Sequence, residues 1–205
     1  ALRDRRVGGE LKLLFDSSVA GNSLPALLRA ADGAAASILL IREREAAHSF
    51  GAFLPCGWSE RHAAGDGFFS DERSFLFALA PSPTRIFPAR DEAGGRHAHC
   101  SAAHGIGFGG EVGCFGLQVH ADLMSGVLLP SLTYGACDGM ASSSNFLIAS
   151  VQLWGLVDDT LPLARPRAEW EMSGAKSAME DPQNRILLEF VGMERALACD
   201  SRFGK

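Results

Sequence analysis

The sequence predicts a mainly β (α+β) protein: a two-sheet antiparallel β-sandwich flanked by short helices, followed by a C-terminal amphipathic helix. Three observations carry that prediction. Short hydrophobic runs recur along the chain, broken by Gly, Pro and charged clusters, the pattern of strands joined by turns. A single early stretch has helical periodicity before residue 157, which argues against the strand-helix alternation that builds parallel sheets. A length of 205 residues with 47% hydrophobic content fits one ordinary core plus a peripheral segment.

Taken in order, residues 1–10 are an incomplete lead-in, because the chain opens on Ala1 and its first strand candidate begins at Leu11. Leu11 to Phe15 is a short apolar run delivered into the loop "DSS". Ser23 then caps a helix with Pro25 in its first turn, Leu24, Leu27 and Leu28 on one face, and Gly33 as its stop. Ser37 to Ile41 and Ser49 to Leu54, joined by "REREAAH", read as an antiparallel pair. Ser74 to Ala80 and Thr84 to Phe87 read as a second pair, interrupted by Pro81 and Pro83, which cannot donate to a ladder. Phe115, Leu117 and Val119 alternate with Gly116, Gln118 and His120, so one face of that strand is buried and the other polar. The last strand spans Phe146 to Leu156. Phe50, Phe53, Phe75, Phe77, Phe108, Phe115 and Phe146 lie in or beside strand runs and are read as core. Residues 158–180, with Pro162 and Pro166 and mixed charge, read as a linker. In residues 181–205, Asp181 can cap and Pro182 suits a first helical turn. Ile186, Leu187, Phe190, Val191 and Leu197 fall on one stripe, a candidate partner-binding face.

Composition excludes several functions. A net charge of -5 and the lack of any Lys/Arg cluster argue against nucleic-acid binding. The longest apolar runs are far short of the roughly 20 residues a membrane helix needs. Five irregularly spaced cysteines with no CxxC pair favour reduced thiols and a cytoplasmic setting. The residues 105–116 hold Gly105, Gly107, Gly109, Gly110, Gly113 and Gly116. A phosphate loop needs a strand before it and a helix after it, whereas here a strand follows and no Lys stands between Lys12 and Lys176. These glycines therefore read as sheet architecture, at bulges, turns or close strand approaches. His97, His99, Cys100 and His104 place soft ligands close together, but at a spacing that matches no standard metal site, so they read as solvent-facing histidines and no metal is assigned, with zinc the lesser alternative. No GxSxG elbow occurs, and Cys114 has only His104 and His120 as distant candidate bases, so no catalytic residue and no cofactor is assigned. Asp158 and Asp159 read as a solvated strand end.

The stretches "LLFDSSVAGNSLPALL", "SILLIREREAAHSFGAFLPCGW", "ERSFLFAL", "GIGFGGEVGCFGLQVHADLMSG" and "TYGACDGMASSSNFLIASVQLWGL", in that order from Leu11 to Val157, together resemble a TLDc domain. The segment "EDPQNRILLEFVG" is similar to the C-terminal extension of the mTOR-associated TLDc subfamily. The chain departs from the family pattern at "AGGRHAHCSAAH", where a more aromatic strand is usual, and at Gly135-Ala136. The resemblance implies a β-sandwich without catalytic residues, a role in resistance to oxidative stress, and binding and modulation of the vacuolar-type proton ATPase. For the mTOR-associated members it further implies lysosomal signalling, at the cytosolic face of acidic organelles. Two alternatives stand beside that adaptor: a structural component of a larger cytoskeletal or ciliary assembly, and a thiol-based antioxidant enzyme using Cys114 or Cys100.

Overall fold

In a computed structural model of the chain, residues 10–62, 67–81, 83–90 and 96–157 are described. The first strand, β1 (Glu10–Asp16), gives way to a single helical turn, α1 (Ser17–Ala20), whose N-terminus Asp16 caps through its side chain. Helix α2 (Leu24–Ala31) begins where the sequence places it, with Ser23 Oγ accepting from Ala26 N and Pro25 in the first turn. Its buried face is Leu24, Leu27 and Ala31. The strands β2 (Ala36–Glu43) and β3 (Ser49–Leu54) form the first antiparallel pair, Leu39 opposite Ala52. A 3-10 turn (Trp58–His62) leads to β4 (Phe68–Phe69). The second pair, β5 (Phe75–Ala80) and β6 (Arg85–Pro88), also lies where its hydrophobic runs place it.

Four strands fall where no clear period-2 run marks them or where glycine masks it: β4, β7 (Ala98–Ser101), β8 (Gly105–Glu111) and β10 (Ser125–Leu128). The glycine run does not merely precede a strand; it is β8, which turns at Gly113 into β9 (Cys114–Val119). The final strand, β11 (Asn145–Val157), has 13 residues.

The strands are ordered β4-β7-β8-β9-β10-β11-β2-β3-β5-β6, antiparallel throughout, with β1 also paired to β11. The long strand β11 belongs to both sheets: Phe146 opposes Gly126 of β10, and Leu153 opposes Leu39 of β2. Between Ile148 and Ser150 the register shifts, an irregularity that lets one strand pass from one sheet to the other. A single core joins the two sheets. Leu39, Ile41, Phe50 and Ala52 contribute from one, Ile106, Phe108, Leu117 and Val119 from the other. The ring of Phe50 meets that of Phe146 edge-on at 5.1 Å across that boundary. Strand β2 is buried on both faces, from Ile38 to Ile41, which explains its unbroken hydrophobic run.

The linker 158–180 and the stripe Ile186, Leu187, Phe190, Val191 and Leu197 lie outside the described residues, as do Asp158 and Asp159.

Candidate functional site

The connection from β10 to β11, residues 129–144, is both tightly held and turned outward. Pro130, Gly135 and Gly139 mark it as a turn-rich segment. Its inward side chains Tyr134, Cys137, Met140 and Ala141 are members of the core. Backbone bonds pin its two ends: Leu129 N donates to Gly116 O at 2.7 Å, and Leu128 N to Ser144 O at 2.8 Å. Ser131 and Gly135 exchange both backbone bonds, closing a tight turn around Leu132.

Tyr134 anchors that turn. Its hydroxyl donates to His97 O at 3.0 Å and lies 2.9 Å from Ser74 Oγ, which donates in turn to Asp71 O. Burial pushes the phenol well above its ordinary range, so it is a fixed neutral donor. Thr133 joins the turn to both neighbouring segments, its carbonyl accepting from Arg90 N at 2.8 Å and its hydroxyl donating to Arg96 O at 3.3 Å. At the far end, the buried carboxylate of Glu43 accepts from Ser142 N at 3.1 Å through Oε2 and from Ser142 Oγ through Oε1, with His48 Nδ1 3.5 Å from Oε2.

The glycines of the adjoining sheet make room for this loop. A Cβ at Gly109 would lie 2.9 Å from Ser131, Thr133 and Tyr134 side-chain atoms, and one at Gly116 would lie 2.6 Å from Ser131 Oγ. Gly107 leaves space for the Phe115 ring, where a Cβ would come within 2.5 Å. Gly105, Gly110 and Gly113 carry positive φ.

The outward side differs sharply. Leu132 is 81% exposed, and Leu129 is exposed beside it. A cleft of about 330 Å³ opens along the loop, lined in part by Leu128, Leu129, Pro130, Asp138 and Ala141. None of these residues is a catalytic arrangement, and none stands out in the sequence as a motif. The signals available there were the chain's one tyrosine and a leucine set between Ser131 and Thr133 in a turn.

The histidine expectation is corrected. His97 and His99 are buried, not solvent-facing, because β7 is covered on both sides. The His99 ring stacks on Phe115 at 5.1 Å and tilts against Phe68 at 5.0 Å. Burial lowers the His97 pKa below 6.5, although Asp71 and Glu72 pull the other way. Among the described residues, no three His, Cys, Asp or Glu side chains gather in a way that could hold a metal ion.

The thiols divide by environment. Cys114 is exposed at the start of β9, while Cys56, Cys100 and Cys137 are buried. Burial pushes Cys56 and Cys137 up to about 11. No helix among the described residues is long and apolar enough to cross a membrane.

The described residues thus define a mainly antiparallel β protein with a firmly anchored, outward-turned loop. Comparison with known proteins gives the family: the TLDc domain matches residues 2–157, and the chain belongs to that family. It is similar to "MTOR-associated protein MEAK7" of Mus musculus, 28% identical over 193 residues, which covers 90% of this chain and 39% of that protein. The proteins of the same name from Homo sapiens (27% over 189 residues; 89% and 39%) and Gallus gallus (25% over 190; 90% and 38%) are similar to a like degree. The chain thus spans about two fifths of the length of these relatives. Ninety per cent of the chain exceeds what residues 2–157 alone make up, so the likeness to the Mus musculus protein continues past the TLDc domain.

Proposed function

We propose that this chain is a non-catalytic TLDc adaptor that binds a protein partner and modulates it, the partner being the vacuolar-type proton ATPase. The observation that carries the reading is the continuous likeness to mTOR-associated relatives, through the domain and beyond residue 157. In this reading the sandwich is the docking body. Ile186, Leu187, Phe190, Val191 and Leu197 supply a second contact, since a stripe of that kind on a helix has to be covered by something. The protein works at the cytosolic face of lysosomal or other acidic organelle membranes, reaching the membrane through its partner, and contributes there to mTOR signalling and to resistance against oxidative stress.

The test is affinity purification of the full-length protein from its native cells, with and without residues 181–205, followed by mass spectrometry. Recovery of proton-pump subunits that depends on the tail supports the reading and gives the tail its role. Recovery of a filament or scaffold set in their place, resistant to high salt, would replace the adaptor with a structural component.

A further inference from the structure

We propose that the Leu129–Ser144 loop, together with Arg85 and Arg90, is a docking surface for a protein segment that carries acidic residues beside an apolar side chain. This rests on the adaptor reading and names the contact within it.

The charge is the first ground. Arg85 opens β6 and Arg90 follows its end, and both are exposed. Each guanidinium lies along the loop in space that a glycine leaves free. A Cβ at Gly135 would meet Arg90 Nη2 at 2.3 Å, and one at Gly139 would meet Arg85 Nη2 at 2.9 Å. Among the described residues, neither is paired with a carboxylate. The ion pairs among the described residues are His48–Glu43, Arg73–Asp71 and Arg96–Glu111. Arg85 instead lies over the Phe87 ring at 5.6 Å, which holds the cation in place while leaving its hydrogen-bond donors available. On a chain with a net charge of -5, two guanidinium groups held along one loop, unpaired with any carboxylate among the described residues, concentrate positive charge there. Asp138 is the opposing charge, on the wall of the cleft.

The apolar part is the second ground. Leu132 stands at the tip of a turn fixed by two backbone bonds and by the buried Tyr134, so its backbone is already ordered before binding and only the side chain remains to be fixed. The cleft along the same loop, reaching Gly139 and hence Arg85, is of mixed polarity: Leu128, Leu129 and Pro130 face Asp138 and the serines at 142–144, with room for one side chain. Arginines beside a large exposed apolar side chain on a fixed turn are a combination that concentrates binding energy in few residues. The charges then set orientation and on-rate.

The surface is tested on the full chain by fluorescence anisotropy, using a labelled peptide of Glu residues around a Leu-Phe pair and the same peptide with Lys for Glu. The wild type should bind the acidic peptide about tenfold or more tightly than the basic one, as close interfacial charge pairs require. The double substitution Arg85→Glu with Arg90→Glu should reverse that preference. Leu132→Asp should weaken the acidic peptide by about tenfold at an unchanged melting temperature, because the side chain it replaces is exposed. Equal binding of the two peptides, or an acidic-peptide affinity that the double substitution leaves alone, overturns the surface.

A second arm uses the purified soluble sector of the vacuolar-type proton ATPase. Wild-type binding that none of these substitutions alters overturns this surface and keeps the adaptor reading. No wild-type binding to the sector, combined with a peptide preference that reverses with charge, removes the pump from the reading and keeps the surface.

Discussion

Single residues here do one of two jobs, relieving a steric conflict or tolerating burial, and the glycines separate the two kinds of cost. At Gly105, φ is +75 and a Cβ would lie 2.1 Å from Val119 O, against backbone that belongs to β9 and cannot retreat. At Gly113, φ is +85 but nothing lies within 4 Å. Gly113→Ala should therefore cost only the left-handed conformation, about 1 kcal/mol, whereas Gly105→Ala adds a backbone clash and should cost about 3 kcal/mol or more. Denaturant melts of the two variants check this, and equal losses would contradict the steric account. His97 shows the second job. Its folded pKa lies below 6.5, so below that pH the unfolded chain takes up a proton that the folded chain resists. Stability is then full above about pH 7 and falls as pH drops through 6.5 toward the depressed value. Asp71 acts in a lower window: burial raises its pKa, but hydrogen bonds from Arg73 outweigh that and leave it below 3.8. Melting temperatures of wild type and His97→Gln between pH 7.5 and 5 should show a smaller acid loss in the variant, and parallel curves would refute the assignment.

Among the elements, legibility followed local chemistry. Helix α2 was readable because Ser23, Pro25 and Gly33 are local signals, and the β2–β3 and β5–β6 pairs because strong hydrophobic runs flank polar turns. Strand β8 hid because Gly105, Gly107, Gly109 and Gly110 erase the alternation that defines a strand, while the reason for them, the Ser131–Tyr134 turn seated on the sheet, lies more than twenty residues away in sequence. For the same reason His97 and His99 read as exposed: their cover comes from Phe68, Phe115 and the loop, none adjacent in the chain. The loop itself was legible only as a string of turn residues. Besides Tyr134 and the backbone bonds at its ends, it is held by Glu43 at the end of β2, which takes both the amide and hydroxyl of Ser142. Glu43→Ala should leave that amide without a partner and destabilise the protein by about 1–3 kcal/mol. Proteolysis within residues 129–144 should quicken more than cleavage elsewhere. An unchanged cleavage pattern with a lowered melting temperature would mean that Glu43 supports the sheet and not the loop.

For the whole molecule, the question is whether it acts as a surface or as a chemical reagent, and its thiols allow a direct answer. A scavenger needs a thiolate that solvent can reach. Cys56 and Cys137 are buried with pKa values pushed to about 11, which at pH 8 leaves roughly one thiolate in a thousand. Cys100 is buried as well, while Cys114, beside the Gly113 turn, is exposed. In a Cys199→Ser background, a thiol reagent at pH 8 should therefore modify Cys114 rapidly and reach the other three only after denaturant is added, as peptide mapping would report. An adaptor requires nothing more of that thiol. Peroxide consumption by the purified chain should thus be the same for wild type and Cys114→Ser, and equal to the rate of an unrelated protein with one exposed cysteine. A wild-type rate that exceeds this background and vanishes in the serine variant would reassign the molecule from a docking body to a peroxide-reducing enzyme, with Cys114 as its nucleophile.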